Sequence, residues 1–317
     1  MDQPPTLETI HQAHQRILPY IHRTPVFTCA AIDDRVGTRL FFKCENFQKT
    51  GSFKMRGASN AVFALDSAPT EGGVVTHSSG NHAAALSLAA RNRGIPASIV
   101  MPSNAPAVKQ AAVRTYGGTI TLCKPTLRDR EATAHAIQQQ TGAILIHPYN
   151  DYRMIEGHGT ALVELLEEIS DLEMIVVPTG GGGLLSGTLI AAKALRNDIQ
   201  VIGAEPAEAD DAYRSWKAGK LIPLEEAHTL ADGLRTSLGE KTFPIIRKLV
   251  DAMILASEKA IIEAMHLVME RMKILIEPSA AVPLAALLEE QIDVSGRRVG
   301  IILSGGNVEL NSIPGWM

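Results

Sequence analysis

Short stretches rich in apolar residues alternate with helix-length stretches from about residue 73 onward. The apolar stretches cover residues 73–77, 97–102, 119–123 and 143–148. The helix-length stretches end near Gly94, Gly117 and Gly142, and glycine readily takes the left-handed conformation that follows a last helical turn. Connections of this length carry a helix and return the chain in the same direction. The pattern therefore predicts a βαβαβαβ unit with a parallel sheet.

A second series of the same kind follows. Its apolar stretches cover residues 173–178, 200–206 and 299–303, and a helix is predicted over residues 259–273. The change of pattern places a boundary between two α/β units near residues 147–153. We therefore expect an α/β protein with two parallel-sheet units on one chain.

The composition is that of an ordinary globular protein. The 317 residues are 45% hydrophobic, 20% charged and 4% aromatic, and the formal net charge is -4. This charge indicates neither nucleic acid nor a membrane surface as a partner. The N-terminus carries Asp2 and Glu8 and lacks the apolar segment of a secretory signal, so we expect a cytoplasmic protein. Cys29, Cys44 and Cys123 are too few and too scattered for a disulfide framework or a zinc site.

The loops that follow predicted strands are the places where open parallel sheets bind ligands. One such loop contains four consecutive glycines, Gly180 to Gly183, and leads into a helix. Without side chains, backbone N–H groups can converge on an anion, and the start of the helix adds a favourable dipole. The segment is typical of a phosphate site, although a tight turn would also use glycine.

Two further loops carry polar side chains. Residues 77–82 offer two hydroxyls, an amide and an imidazole at another helix start, which suits a substrate carboxylate; an ordinary Ser or Asn helix cap is the alternative. Residues 304–307 follow a strand and begin with Ser304.

Lys54 lies in an unusual sequence setting. A lysine taken alone is most often a solvated surface residue. Here small residues surround it, Phe53 precedes it and Arg56 follows two positions later. A neighbouring cation and partial burial would both lower the pKa of its amine, which a lysine that bonds covalently to a carbonyl carbon requires.

The glycine loop also allows a second hypothesis. Glu205 lies about 20 residues beyond the glycines, as the acidic residue of a dinucleotide-binding unit does. A nicotinamide-dependent oxidoreductase is therefore an alternative, but Ser186 stands where that motif has its third glycine or alanine.

Together these segments resemble one enzyme family. The chain is similar, over nearly its whole length, to fold-type II pyridoxal-phosphate enzymes of the serine racemase and serine/threonine dehydratase family. The similar segments are FFKCENFQKTGSFKMRGA, THSSGNHAAALSLAA, VPTGGGGLLSG, AEPAEADDAYRSWKAGK, ADGLR, EPSAAVPLAA and LSGGNVEL.

The resemblance implies a tryptophan synthase β-like fold. It has two parallel-sheet α/β domains with the cofactor between them. Residues 1–70 plus 152–317 would form the large cofactor-binding domain, and residues 71–151 a small inserted domain. The family is usually a homodimer, so we expect one here.

The resemblance also assigns the cofactor site. Lys54 would bind pyridoxal 5'-phosphate covalently and act as the general base on one face of the substrate. The other cofactor ligands would be Phe53 against the ring, Asn81 on the ring hydroxyl, Ser304 on the ring nitrogen, and Gly180, Gly181, Gly182, Gly183 and Leu184 on the phosphate.

The implied reactions concern small 3-hydroxy amino acids. They are racemisation of serine and α,β-elimination of water from serine or threonine, which gives a keto acid and ammonia. Racemisation needs an acid/base group on the second face of the substrate, and Ser79 would supply it. Ser78, Ser79, Asn81 and His82 would bind the substrate carboxylate.

A divalent cation site is implied next to the strand at 200–206. Its ligands would be the carboxylates of Glu205 and Asp211 and the carbonyl of Ala209. Oxygen ligands suit Mg²⁺, Ca²⁺ or Mn²⁺. Without the resemblance, an acidic solvent-exposed loop would be the simpler interpretation.

Some positions depart from the family pattern. His158 stands where several members have Gln, and Ala84 where nucleotide-activated members have Gln; Lys49, Lys109 and Tyr116 nevertheless leave ATP as a candidate activator. Arg130 matches an arginine near the mouth of the site. It could bind a second carboxylate, so dehydration of 3-hydroxyaspartate is an alternative activity.

Overall fold

The strands come in two groups along the chain. The structure, a computed structural model, describes residues 3–65 and 71–310. The strands in these residues are β1 (Val26–Phe27), β2 (Arg39–Cys44), β3 (Val74–His77), β4 (Ala97–Pro102), β5 (Thr119–Cys123), β6 (Ile144–Leu145), β7 (Met174–Pro178), β8 (Gln200–Pro206), β9 (Ala252–Ala256) and β10 (Arg298–Leu303).

Helices connect nearly all of these strands. The α-helices of the described residues are α1 (Leu7–Ile17), α2 (Ala30–Val36), α3 (Lys54–Phe63), α4 (Asn81–Arg93), α5 (Ala107–Thr115), α6 (Leu127–Thr141), α7 (Tyr152–Glu168), α8 (Gly183–Leu195), α9 (Asp211–Ala218), α10 (Thr242–Leu249), α11 (Glu258–Leu267) and α12 (Pro278–Leu288). Gly94 and Gly142 end α4 and α6 in the left-handed conformation, as predicted.

The strands form two separate sheets. One has four strands in the order β5-β4-β3-β6, and the other has six in the order β1-β2-β10-β7-β8-β9. Every neighbouring pair is parallel except β1 with β2. The expectation of an α/β protein with two parallel sheets is therefore confirmed.

Both faces of the larger sheet are covered, as in other parallel sheets. Along β7, Met174 and Val176 join the hydrophobic core on one face. Ile175 and Val177 point the other way and join the core on the opposite face. This burial fixes the sheet rigidly, and with it the loops that leave its strands.

Those loops meet where the strands end. Strands β3, β7 and β10 end at His77, Pro178 and Leu303, and the residues that follow each of them line one common pocket. The carboxyl ends of strands from both sheets thus face the same space, where such folds place their ligands.

The structure differs from the predicted elements in two places. Strand β6 covers only Ile144–Leu145, because the chain turns at His147, whose Nδ1 accepts the N–H of Asn150 at 3.0 Å. The predicted helix at 259–273 changes from α11 into a π-helix at Val268–Met272, and Lys273 ends it with a φ of 61°.

The two predicted domain limits lie after residue 151 and after residue 70. The limit after residue 151 coincides with the start of α7, where the Asp151 side chain caps the helix by accepting the N–H of Arg153 at 2.9 Å. The limit after residue 70 adjoins residues 66–70, which lie outside the described residues, as do residues 1, 2 and 311–317. In residues 3–65 and 71–310, no helix is long and apolar enough to cross a membrane.

Candidate active site

The common pocket encloses about 500 Å³. The structure brings together there almost every residue that the sequence analysis assigned to the cofactor and the substrate. The predicted residues in its lining are Phe53, Lys54, Ser78, Ser79, Asn81, His82, Arg130, Gly180, Gly181, Gly182, Gly183, Leu184 and Ser304.

Lys54 is the first residue of α3, and its amine points into the pocket. Its Nζ donates to the carbonyl of Pro148 at 2.8 Å and lies 4.9 Å from the ring centroid of Phe53. Burial lowers the pKa of the Lys54 amine to about 8, against the opposing effect of the nearby Glu277. About a tenth of the amine is therefore neutral near pH 7, far more than for an ordinary lysine, and a nucleophilic lysine needs this neutral form.

The loop before Lys54 is held against the end of β10. Phe53 donates its N–H to the carbonyl of Ser304 at 3.0 Å, and Ser52 forms a β-bridge with Gly305. Thr50 is bound there in the left-handed region with a φ of 62°, which is rare for a β-branched residue. These contacts fix where α3 starts and so where the amine lies.

The four glycines form a cradle that side chains would fill. A Cβ at Gly181 would lie 2.4 Å from the Tyr149 ring, and one at Gly182 would lie 2.7 Å from Ile246. Gly182 precedes α8 with a φ of 81°, and no side chain in the described part of the chain caps this helix. The first N–H groups of α8 therefore remain available to an anion at the pocket wall.

The loop after β3 is also open to a ligand. Gly80 occupies the cap position of α4 and supplies no side-chain bond, while Ser78 Oγ accepts the N–H of Gly80 at 3.3 Å. The ordinary Ser or Asn cap is thus not what the structure shows. The backbone at this helix start is free to bind a carboxylate.

The His82 ring, which the sequence suggested as a ligand of the substrate carboxylate, is bound to the backbone of the protein. Its Nε2 lies 3.2 Å from the carbonyl of Ile146, and burial holds the pKa of the imidazole well below its usual value. A neutral ring that donates from Nε2 leaves Nδ1 as an acceptor. A substrate carboxylate would therefore meet the backbone N–H of His82 instead of its ring.

Ser304 provides an unsatisfied hydroxyl at the far end of the pocket. The side chain is 3% exposed, and its Oγ has no hydrogen-bond partner among the residues that the structure describes. Buried hydroxyls are normally bonded. The arrangement suits a ligand atom such as a ring nitrogen.

Arg130, in the first turn of α6, is a second unsatisfied group. It lines the pocket, and its buried Nε has no hydrogen-bond partner within the described ranges. A guanidinium is always charged and binds carboxylates well. The Arg130 guanidinium thus forms no ion pair with an acidic residue of the described structure.

The sequence analysis missed two acidic residues of the pocket. Glu277 occupies the position before α12 without capping the helix through its side chain, and it is 3% exposed. Burial raises the pKa of its carboxyl to about 7. Asp232 accepts from the Lys109 amine at 2.5 Å, joining α5 to the larger sheet's half of the pocket. An acidic residue before a proline is common at helix starts, so the segment EPSAAVPLAA did not mark Glu277 as a pocket residue.

The proposed cation ligands do not line the pocket; Glu205 lies near the end of β8, and Ala209 and Asp211 follow that strand. Glu205 and Asp211 are both 0% exposed, and Asp211 Oδ1 has no partner among the described residues. Burial and the proximity of Asp211 raise the pKa of Glu205 well above its usual value, and burial raises that of Asp211 to about 7. Ala209 lies buried between them in sequence. Two buried carboxylates without a cationic partner suit a divalent cation.

Glu205 does not occupy the position that a dinucleotide site requires. Its carboxylate oxygens accept the N–H groups of Ala212 at 3.2 Å and Tyr213 at 2.7 Å. The Glu205 carboxylate therefore faces α9 and not the glycine loop, which removes the main support for the nicotinamide hypothesis.

A metal site made of side chains alone is a separate question. In residues 3–65 and 71–310, no cluster of three or more His, Cys, Asp or Glu side chains could hold a metal ion.

The pocket fits pyridoxal phosphate as a whole. It combines a nucleophilic amine, a phosphate-sized cradle of backbone donors and a buried hydroxyl without a partner.

Comparison with known proteins gives a consistent result. Residues 17–305 match the model of the family described as "Pyridoxal-phosphate dependent enzyme". Serine racemase of Arabidopsis thaliana is 51% identical over 310 residues, which cover 96% of this chain and 94% of that protein. The β-hydroxyaspartate dehydratase of Paracoccus denitrificans is 48% identical over 310 residues, 98% of each chain. The structure of maize serine racemase superposes with a TM-score of 0.96 at 48% identity, covering 99% of this chain and 97% of the other.

The relatives cover nearly the whole chain, and the family model covers residues 17–305. The chain therefore belongs to the pyridoxal-phosphate dependent enzyme family.

Proposed function

We propose that this protein is a racemase and ammonia-lyase of small 3-hydroxy amino acids. It would interconvert L- and D-serine, and would eliminate water from serine or threonine to give a keto acid and ammonia. The observation that carries the proposal is the convergence of Lys54, the glycine cradle and Ser304 on one pocket. The serine racemases among its relatives support it.

Different residues of the pocket would bind different parts of pyridoxal phosphate. Lys54 would hold the cofactor aldehyde, Gly180 to Gly183 and Leu184 its phosphate, Asn81 its ring oxygen and Ser304 its ring nitrogen, while Phe53 packs against the ring. When bound, the cofactor supplies an electron sink that makes the proton on the substrate α-carbon acidic. Ser304 is a neutral hydroxyl, so it does not hold a proton on the ring nitrogen as a carboxylate would.

Proton transfer falls to two residues of the chain. Lys54 would take the α-proton on one face of the substrate, since the burial that lowers its pKa to about 8 favours the neutral amine. Ser79 faces the pocket from the loop after β3 and would donate or accept the proton on the other face. Ser78, the Asn81 side chain and the backbone of His82 would bind the carboxylate.

Product analysis tests this proposal directly. The purified protein, loaded with pyridoxal phosphate, is incubated with L-serine, D-serine and L-threonine, and keto acid and serine chirality are measured. We expect D-serine and pyruvate from L-serine. A Ser79→Ala variant should lose racemisation far more than elimination; an equal loss of both would show that Ser79 only binds the substrate.

A second candidate activity is dehydration of 3-hydroxyaspartate. The observation in its favour is the buried Arg130 Nε without a partner at the pocket wall. A substrate with a second carboxylate would satisfy it. The Paracoccus relative, whose name states this activity, agrees. Including the 3-hydroxyaspartate isomers in the assay above would rank the two activities.

We also propose that Glu205, Asp211 and the Ala209 carbonyl bind a divalent cation, Mg²⁺ or alternatively Ca²⁺ or Mn²⁺. Such an ion would neutralise the two buried carboxylates and tie the end of β8 to α9. Treatment with a chelator should lower thermal stability, and added Mg²⁺ should restore it. Indifference to the chelator, with no metal found by elemental analysis, would refute this assignment.

Three further expectations from the sequence concern organisation and control. The division into residues 1–70 plus 152–317 and residues 71–151 would place the cofactor between a large and a small domain. A homodimer is expected, and sedimentation would test it. ATP remains a candidate activator, which activity with and without the nucleotide would test.

A further inference from the structure

A chain of side-chain amides runs from the loop before Lys54 to Glu277. Asn307 Nδ2 donates to the carbonyl of Thr50 at 2.7 Å and to Asn81 Oδ1 at 2.8 Å. Asn81 Nδ2 in turn donates to both carboxylate oxygens of Glu277, each at 3.0 Å. The amide chain thus connects four separate segments of the chain, at Thr50, Asn81, Glu277 and Asn307.

The two ends of this chain fix the orientation of each amide. A backbone carbonyl can only accept, so Asn307 must turn its NH₂ group toward Thr50. That NH₂ group also meets Asn81, which must therefore present its oxygen. The NH₂ group of Asn81 is left to face Glu277, and an ionised carboxylate can only accept as well.

Reversal of the Asn81 amide would break both of its bonds. Its oxygen would lie against the Glu277 carboxylate, and its NH₂ group against that of Asn307. The contact with Glu277 is the costly one, because that carboxylate is buried. Glu277 is 3% exposed, and it is packed closely enough that a Cβ at Gly305 would lie 2.8 Å from its Oε1.

The orientation decides what the pocket offers to a ligand at Asn81. The amide oxygen is occupied by Asn307, while Nδ2 has a second hydrogen beyond the one shared between the Glu277 oxygens. Asn81 lines the pocket. It can therefore donate to a ligand oxygen there, while its own oxygen is turned toward Asn307.

We propose that Glu277 is a positioning residue that holds the Asn81 amide with its NH₂ group toward the ligand, so that the site selects a cofactor ring oxygen in its ionised form. This inference rests on the proposed function, since it takes pyridoxal phosphate as the ligand. It adds a role for Glu277 and for Asn307, neither of which was assigned to the cofactor above.

The test compares two cofactors that differ only in the ring oxygen. Apoenzyme is titrated with pyridoxal phosphate and with its 3-deoxy analogue, and the ratio of the two dissociation constants is the readout. Titration at pH 8 keeps Glu277 mainly ionised, because its pKa is raised to about 7 by burial. Damage to the fold alone would weaken both ligands equally and leave the ratio unchanged.

We expect the wild-type protein to prefer pyridoxal phosphate by about tenfold or more, the usual value of a hydrogen bond to a charged oxygen. Glu277→Ala should remove most of this preference. Glu277→Gln, whose side-chain oxygen can still accept from Asn81, should retain it. Asp232→Asn, the control, changes an acidic pocket residue outside the amide chain and should also retain the preference.

The outcomes separate this inference from the proposed function. If the wild-type protein binds neither cofactor, the proposed function fails. If it binds pyridoxal phosphate but Glu277→Ala keeps the wild-type ratio, or if the wild-type protein shows no preference, the role of Glu277 is refuted while the proposed function stands.

Discussion

Lys54 and Arg56 lie two residues apart on α3 but in opposite electrostatic environments. Successive helical residues turn by about 100°, so these two side chains leave the helix on nearly opposite sides. Arg56 is 0% exposed and bonds to Glu45 at 2.8 Å and to Glu164 at 2.7 Å. Lys43, also buried, adds a bond of 2.7 Å to Glu164. Lys54, in contrast, has one hydrogen bond in the described structure, to the carbonyl of Pro148.

The difference distinguishes structural from functional charges. In the Arg56 cluster, formed by Lys43, Glu45, Arg56 and Glu164, each charge meets an opposite charge. On the Lys54 side, Ser304 Oγ and Arg130 Nε are buried without partners in the described residues. Removing one member of a paired buried cluster leaves its partners uncompensated, whereas the unpaired groups of Ser304 and Arg130 line the pocket and can be satisfied by a ligand there.

The largest effect is expected from Lys54→Ala. Loss of the amine removes both the covalent attachment of the cofactor and the base on one face, so elimination and racemisation should fall by about 10²- to 10⁴-fold or more. Thermal stability should change little, because the amine makes no ion pair among the described residues. Keto-acid assays and a thermal melt measure the two effects; a large loss of stability would mean that Lys54 belongs with the structural charges.

On the other side of the helix, Arg56→Met should mainly affect stability. It would leave the buried carboxylates of Glu45 and Glu164 without their shared partner, at a cost of about 3–5 kcal/mol in the free energy of unfolding. The control is Arg23→Met, which breaks an ion pair with Glu167 whose side chains are 50% and 49% exposed; its effect should be about 1 kcal/mol or less. Denaturant unfolding of both variants compares them. Equal effects would contradict the structural role of the Arg56 cluster.

Arg130→Leu tests whether the unpaired guanidinium serves a second substrate carboxylate. The ratio of kcat/KM for 3-hydroxyaspartate to that for L-serine should fall by about tenfold to a hundredfold, because a charge-assisted hydrogen bond is lost only with the dicarboxylate. Steady-state kinetics with both substrates give the ratio. An unchanged ratio would remove Arg130 from substrate selection.

The smallest effect concerns the pH at which apoenzyme binds pyridoxal phosphate. Only the neutral Lys54 amine attacks the aldehyde, so the binding rate should rise with pH and level off above a pKa of about 8, instead of the ordinary 10.5. Glu277→Gln should move this midpoint to lower pH, since the carboxylate raises the pKa of Lys54. Stopped-flow absorbance measures the rate, and a simple amine in solution corrects for titration of the cofactor itself. A midpoint near 10 would mean that Lys54 is not desolvated.

The sequence indicated much of the site because ligands of parallel sheets bind in the loops that follow strands. The glycine loop, residues 78–82 and Ser304 each follow a strand, but these strands belong to two sheets, and the family resemblance was needed to assign the three loops to one cofactor. Lys54 precedes a helix instead; its sequence setting marked it, and the resemblance assigned its role. The turn at His147 that shortens β6 depends on a single side-chain bond, which no periodicity shows.

The sequence could not indicate the role of Glu277. Its partner Asn81 lies 196 residues away, and the orientation of that amide depends on Asn307 and on a carbonyl near Lys54. Hydrogen-bond direction of this kind emerges only when the loops are folded together. The same holds for the Arg56 cluster, in which Arg56 and Glu164 are 108 residues apart.

Chemical trapping shows whether Lys54 carries the cofactor. The protein loaded with pyridoxal phosphate is reduced with borohydride, which makes the lysine–cofactor bond permanent, and is then digested and examined by mass spectrometry. We predict one modified peptide, with the phosphopyridoxyl group on Lys54. A protein that remains unmodified under these conditions, or that carries the group on a different lysine, would contradict the account.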